Sequence, residues 1–364
     1  MKRRVIISIL TVIMIMTMFQ TAAFATDGEG SAAGVSTSPK AAIYLDQQHG
    51  ADSNDGLTKE SAVQSIVKAN ELAESNHTND IYLTSFYKIT GAEVWDLGGK
   101  TLHRCGLGGY MIELSNASAS LTMSNVVIDG AECTVDATHA AETDSIIKAA
   151  NGGTIVLKSG AVLQNNKAAQ FGSGILANNR VNITMEDGAI IRNNTNRNYE
   201  LGGGILIGNG STFTMNGGEI SGNTANGGGG VAIIGSSMVM NDGTISNNST
   251  YRTSGQGSYG AGVYVADYAN ASGGDTLFTS APASFEMNGG SISDNTALDY
   301  GGGILTFPQQ SKKITININN GKISGNQVTG GSGGAVAAFL YKENPALDAG
   351  FRERYAFDQK SSNR

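Results

Sequence analysis

The sequence predicts an all-β chain wound as a right-handed parallel β-helix, a solenoid with an N-terminal helical cap, and three observations carry that prediction. The first is a phrase found six times after residue 150: an apolar residue, two residues, Gly, any residue, an apolar residue, two residues and Asn. The copies are Leu157-Gly160-Val162-Asn165, Met185-Gly188-Ile190-Asn193, Met215-Gly218-Ile220-Asn223, Met240-Gly243-Ile245-Asn248, Met287-Gly290-Ile292-Asn295 and Ile318-Gly321-Ile323-Asn326. The second is a Gly-rich turn that enters an apolar strand between successive copies, as in Gly202-Gly203-Gly204-Ile205-Leu206 and Gly301-Gly302-Gly303-Ile304-Leu305. The third is composition: 50 Gly, 4 Pro and 40% apolar residues in 364, with no helical periodicity between the phrases. Gly without a strict G-X-Y period excludes collagen, and that apolar content excludes a disordered polar tract.

The elements follow in chain order. Lys2, Arg3 and Arg4 precede an apolar run from Val5 to Phe19, and Ala23 and Ala25 stand at A-x-A spacing, so residues 1–25 read as a secretory signal peptide. The alternative is an uncleaved anchor, since the run extended to Ala25 is about long enough to span a bilayer. Cleavage moves the formal charge from -7 to -10 and places the mature chain outside the cytoplasm, secreted or at the cell surface. Residues 26–40 read as a flexible linker. Residues 41–80 read as a cap: a strand at Ala42 to Leu45, a polar loop from Asp46 to Gly56, and a helix from Ser61 to Glu74 with Ser61 and Gln64 as its capping box. Laid across the first coil, that helix hides an open strand edge.

Residues 81–340 are the coil. Looser strands at Asp80 to Thr84, Thr101 to Leu102, Met111 to Leu114 and Leu121 to Ile128 precede the clear repeats, whose Asn anchors lie 28, 30, 25, 47 and 31 residues apart. Each period holds three short alternating runs, such as Ile205 to Ile207, Phe213 to Met215 and Glu219 to Ser221. Period-two alternation puts Ile205, Ile207, Phe213, Met215 and Ile220 on one face and Leu206, Thr214, Glu219 and Ser221 on the other. With no helical crossover, each run pairs in parallel with its equivalent one turn later, at about 4.8 Å. The Asn at the end of each third run, Asn165, Asn193, Asn223, Asn248, Asn295 and Asn326, is expected to hydrogen-bond along the stack and satisfy turn amides. An independent turn preference at each position is the alternative. The long interval of 47 carries two loops, Tyr251 to Tyr259 and Asp267 to Ala283, either binding loops or inert insertions. Residues 341–364 read as a C-terminal tail or a capping helix starting at Asn344 and Pro345 with Leu347, Phe351 and Tyr355.

The Tyr44-Leu45-Asp46 strand, the Gly50-Ala51-Asp52-Ser53-Asn54-Asp55-Gly56 loop, the Ser61 to Glu74 helix and the Gly-rich coils together resemble bacterial secreted proteins of the right-handed β-helix, pectate-lyase-like superfamily. The Gly-Gly-Gly-Ile and Ile-Ser-Gly-Asn-Thr phrases resemble repeats of polymorphic outer-membrane proteins, which serve as adhesins and autotransporter passengers. The resemblance covers about residues 41 to 340, and nothing in the chain resembles a membrane-inserted barrel. It implies a fold more than an activity, because the superfamily holds lyases, hydrolases, epimerases and non-catalytic proteins. A pectate-lyase-like enzyme would place calcium-binding acids and a base on the outer face of one strand stack.

The outward residues do not supply that set. After the Gly-rich turns they are Leu176, Leu206, Ala232, Tyr264, Leu305 and Ala337, and no pair of acids recurs on adjacent turns of the other strands. Asp187 and Asp242 are equivalent but two turns apart, about 10 Å, with Gly217 between them, too far for a retaining carboxylate pair. No catalytic residue is assigned. His49, His77, His103 and His139 show no metal-ligand spacing, and the Asp-rich loop lacks EF-hand order, so no metal site is assigned either. Cys105 and Cys133, 28 residues apart, form either a disulfide or two buried thiols.

Tyr199, Tyr259 and Tyr300 precede Gly-rich turns, and Tyr264 follows one. Aligned turns make them a strip of rings suited to stacking on sugars or protein, or to packing over the corner. Two function classes result. One is a non-catalytic, adhesin-like or carbohydrate-binding module, monomeric, whose partner is an extracellular glycan or protein surface. The other is a polysaccharide lyase or glycoside hydrolase acting through Asp267, Asp275, Lys312, Lys313, Arg180, Arg192 and Arg197. No cofactor is implied, with Ca²⁺ entering only under the lyase reading. The acidic charge gives no reason to expect nucleic acid, and no membrane contact is expected beyond the signal peptide.

Overall fold

The computed structural model describes residues 42–133, 143–198, 200–252, 257–267, 278–308 and 313–338. The expected signal peptide and linker, Tyr199, His139, Asp275, Lys312 and the segment 341–364 lie outside the described residues.

The chain is a parallel β-helix. Its described strands form all-parallel sheets of 16, 9 and 6 strands, each strand joined to its counterpart one coil away. One coil shows the build: Ile205–Gly208 lies in the nine-stranded sheet, Thr212–Met215 and Glu219–Ser221 in the 16-stranded sheet, and Thr224–Ala225 in the six-stranded sheet. A coil therefore has four strands where alternation predicts three. The fourth is two residues long, too short for a period-two pattern to mark it. Register is kept from coil to coil, so Ile183, Phe213, Met238, Phe285 and Ile316 stand one above another. Before the Gly turns begin, two 13-residue strands, Ala92–Arg104 and Ser120–Glu132, run unbroken through what later coils split in two.

The core is the column of inward side chains. Ile205, Ile207, Phe213, Met215 and Ile220 are buried as the alternation predicts, in one cluster that continues down to Ile43 and Leu45. Two repeat copies are shifted by one residue. Ile190 pairs with Glu219 and Ile191 with Ile220, so Leu163 and Ile191 point inward, not Val162 and Ile190. The coils to Leu163 and Ile191 carry one more residue between turn Gly and strand than the coil through Gly218 and Ile220, and two adjacent apolar residues conceal the slip.

The cap helix spans Ile66–Ser75, later than the expected start at Ser61. Ser65, not Ser61, is its N-cap and accepts from the Lys68 amide at 3.1 Å. Ala62 and Val63 are still extended and buried, with Val63 bridging to Leu45, which delays the helix. Ile66, Ala69 and Ala73 face the first coil, while Val67 is exposed. Cys105 and Cys133 are joined by a disulfide with Cα atoms 5.0 Å apart.

A second apolar layer lies outside the nine-stranded sheet. Leu206, Ala232, Tyr264, Leu305 and Ala337 do point away from the core, yet all are buried, in a cluster with Ile234, Phe278 and Phe307. Phe278 belongs to the insertion that begins at Asp267, and the Thr279 amide donates to Asn209 Oδ1 at 2.8 Å. The described part of that loop is therefore folded back over the sheet. Gly208 makes room for it: a Cβ there would collide with the Phe278 ring.

Candidate functional site

An inner asparagine column runs along the coil. The backbone N–H and side-chain Nδ2 of Asn194 donate to Asn223 Oδ1 at 3.0 and 3.1 Å, those of Asn223 to Asn248 Oδ1, those of Asn248 to Asn295 Oδ1, and those of Asn295 to Asn326 Oδ1. Each Nδ2 also donates to a backbone carbonyl one coil lower, as Asn223 does to Ile191 at 3.0 Å. The lower members of the column are Asn166 and Asn194, which corrects the expected Asn165 and Asn193 by the same one-residue slip as the core. Asn165 and Asn193 have φ of 61° and 55°, the left-handed turn residues that Gly222 and Gly325 supply in other coils.

Arg104 stands at the foot of this column. It is fully buried at the end of the Ala92–Arg104 strand. Its guanidinium donates to the carbonyls of Gly130, Leu107 and Gly109 at 3.2, 2.9 and 2.7 Å, and to Asn166 Oδ1 at 3.2 Å. Burial pushes its pKa down to about 10, against the pull of Glu132 and Asp144, so the group stays charged at neutral pH. A Cβ at Gly130 would strike Asn166, so this glycine keeps Arg and Asn within reach.

The tyrosine edge forms where the six-stranded sheet turns into the nine-stranded one. Leu201, Gly227, Tyr259, Tyr300 and Ser332 are bridged in parallel, one per coil. The rings of Tyr259 and Tyr300 stack with centroids 6.3 Å apart and planes 10° from parallel. Beneath them Phe307 lies 5.1 Å from Tyr259 and 6.2 Å from Tyr264. Tyr264 is only 2% exposed and belongs to the second apolar layer, so the partly accessible rings are Tyr259 and Tyr300. The neighbouring residues pin the turn. Asp299 pairs with Arg252 at 2.5 Å and accepts the Ser258 amide at 2.9 Å, which ties the two tyrosine-bearing coils together.

The acids Asp187 and Asp242 line a notch of about 340 Å³ together with Glu219, Asn216, Gly217 and Thr244. Gly217, having no side chain, opens it. Along its rim runs a second asparagine column that the repeat phrase did not reveal: Asn216 donates to Glu186 at 3.1 Å, Asn241 to Asn216 at 2.9 Å, Asn288 to Asn241 at 3.1 Å and Asn319 to Asn288 at 2.8 Å. Its signal was present in the sequence, as Asn after the inward Met or Ile in four successive copies.

The remaining polar candidates are dispersed. Arg180, Arg192 and Arg197 are exposed at three different places on one coil, Arg180 after the strand Ile175–Asn178, Arg192 as the last residue of Ile190–Arg192 and Arg197 after Thr195–Asn196. Asp267 is buried where the insertion leaves the sheet. His49 lies 3.3 Å from Asp46 and His103 2.8 Å from Asp80. Among the described residues no group of three His, Cys, Asp or Glu is arranged to hold a metal ion. The Asp-rich loop serves its own backbone: Asp46 accepts the amides of Gln48 and His49 at 3.0 Å, Asp52 those of Gln64 and Ser65 at 2.9 and 2.8 Å, and Asp55 that of Leu57 at 3.0 Å. Among the described residues no helix is long and apolar enough to cross a membrane. Compared with protein-family models, curated proteins and solved structures, the chain matches none.

Proposed function

We propose that the chain is a secreted or cell-surface module that binds an extracellular glycan or protein surface without catalysis, in the manner of the adhesin-like and pectate-lyase-like β-helix proteins its repeats resemble. The stacked, half-exposed pair of Tyr259 and Tyr300 carries this reading. Flat rings with hydroxyls present both a stacking face and a hydrogen-bonding edge, the combination that sugar rings engage. Phe307 and the Arg252–Asp299 pair hold the rings in place, so little side-chain freedom is lost on binding. The test replaces both rings: Tyr259→Ala with Tyr300→Ala abolishes retention on a glycan array and on cell-wall and host-matrix material, while far-UV dichroism at the assay temperature stays that of the wild type. Retention equal to wild type rejects the reading.

A second reading, polysaccharide cleavage, draws on the notch between Asp187 and Asp242. Incubation with acidic and neutral polysaccharides, with and without Ca²⁺, separates the two. Unsaturated products or new reducing ends that vanish in Asp187→Asn favour cleavage.

A further inference from the structure

The two ends of the described coil differ. At the lower end the Ile66–Ser75 helix covers the first strands, and Ile43, Leu45, Ile81 and Leu83 are fully buried. At the upper end the last coil comprises Ile314–Ile318, Lys322–Ser324, Gln327–Val328 and Val336–Ala338. Its core positions stand directly above buried residues: Ile314 above Ala283, Ile316 above Phe285, Ile323 above Ile292 and Val336 above Ile304. Ala283, Phe285, Ile292 and Ile304 are at most 2% exposed, yet Ile314, Ile316, Ile323 and Val336 are only half-buried and Ile318 is 44% exposed. Among the described residues nothing pairs with these upper strands, and an apolar coil end left open is a site for association, which solenoids close with a terminal unit that has one polar face.

We propose that residues 339–364 are that unit, docking on the Ile314 to Val336 coil. The segment leaves from Ala338, the last residue of the uppermost strand of the nine-stranded sheet, and so starts beside the surface to be covered. It carries Leu347, Phe351 and Tyr355 at intervals of four, one face of a helix turn after turn, with Asp348, Arg352, Glu353 and Arg354 between them. Pro345 suits the first turn of such a helix. Four inward apolar side chains and three apolar residues of the segment then meet as the cap helix and first coil do at the other end.

Three chains test this: the full chain, the chain stopped after Ala338, and the full chain with Leu347→Ser, Phe351→Ser and Tyr355→Ser. Amide hydrogen exchange over residues 314–338 is expected to rise about tenfold or more in both altered chains. Exchange over 205–248 stays unchanged. Equal exchange over 314–338 in all three overturns the proposal. So does protection in the full chain that appears only as its concentration rises and sedimentation shows dimers, since a second copy would then be the cover. If the shortened chain fails to fold, the triple serine variant decides by the same measurement.

Discussion

Arg104 donates to Asn166 Oδ1 at 3.2 Å, at the place where the inner asparagine column would otherwise need a further asparagine below. Asn223, Asn248, Asn295 and Asn326 each offer their Oδ1 to the N–H and Nδ2 of the asparagine one coil down. Asn194 offers its own to the Asn166 N–H, while the Asn166 Nδ2 turns to the carbonyls of Asp144 and Ser173. Asn166 is the lowest of the six, and a buried guanidinium takes that role. A planar fork with five donors can serve an amide oxygen and several carbonyls at once, which a lysine cannot.

Arg104→Met leaves the carbonyls of Leu107, Gly109 and Gly130 and the Asn166 oxygen without their donor. The expected loss is about 4 kcal/mol, several buried acceptors at about 1–3 kcal/mol each with partial relaxation. Arg104→Lys recovers only part of it. Urea unfolding of both variants checks this, and a loss of less than about 1 kcal/mol for Met would contradict the role assigned.

Asn223→Leu removes the oxygen that accepts from the N–H and Nδ2 of Asn194, and the donor to the Ile191 carbonyl, in a fully buried site. A loss of about 3 kcal/mol is expected. Asn216→Leu, in the exposed second column, should change stability by no more than about 0.5 kcal/mol. Equal effects from the two substitutions would show that the inner column is no more than a set of turn residues.

The cap loop is sensitive to acid. Burial works to raise the pKa of Asp46 and Asp52, but hydrogen bonds from the amides of His49 and Gln48 to the first, and from those of Ser65 and Gln64 to the second, outweigh it and leave both below the usual 3.8. The Ser61 hydroxyl and the Leu57 amide lower Asp55 likewise. Folded pKa values below the unfolded value mean that this stabilisation is full above about pH 4 and lost as pH falls through the lowered values. Thermal midpoints measured from pH 6 to pH 2.5 should therefore fall in the acid range. Asp52→Asn should start lower and fall less steeply.

Reduction of the disulfide should loosen the early coils. Cys105 and Cys133 close a loop with a separation of 28 residues, whose closure entropy corresponds to about 3.6 kcal/mol. The double Ser variant, or the chain in reductant, should unfold at correspondingly lower urea concentration. Identical midpoints in oxidising and reducing buffer would argue against the bond.

Gly208→Val should displace Phe278 from the second apolar layer, because any side chain at 208 meets that ring. The expected readout is new protease cleavage within 268–282, with far-UV dichroism unchanged. Resistance equal to wild type would mean that the insertion does not depend on this seat.

How much of this was legible beforehand depended on the range of the interaction. Coil pairing repeats every 25 to 31 residues in all but one interval and recurs six times, so inward Ile and Met positions stood out in the sequence. The slip at Asn165 and Asn193 arose because Ile190-Ile191 and Val162-Leu163 are each two apolar residues in a row, and either could be taken as the inward one. Pairing with Ile220 decides between them, and that is a fact about the neighbouring coil. The second apolar layer was hidden for a different reason. Leu206 points outward by every local rule, and only a contact 70 residues along the chain, Thr279 to Asn209, brings the cover that buries its surroundings. Tyr264 moved from the expected strip into that layer because Phe307, on the next coil, packs against it 6.2 Å away. Arg104 had no periodic signal, since it is the single residue that ends a pattern.

The inner asparagine column also sets a direction for mechanical failure. All its amide dipoles point the same way, and each link is held by the one above, so tearing it mid-rod leaves two raw ends while peeling from the top leaves one. A chain pulled in an optical trap should come apart as a sawtooth of coil-sized steps that begins near Asn326 and meets its last and highest force at the arginine anchor.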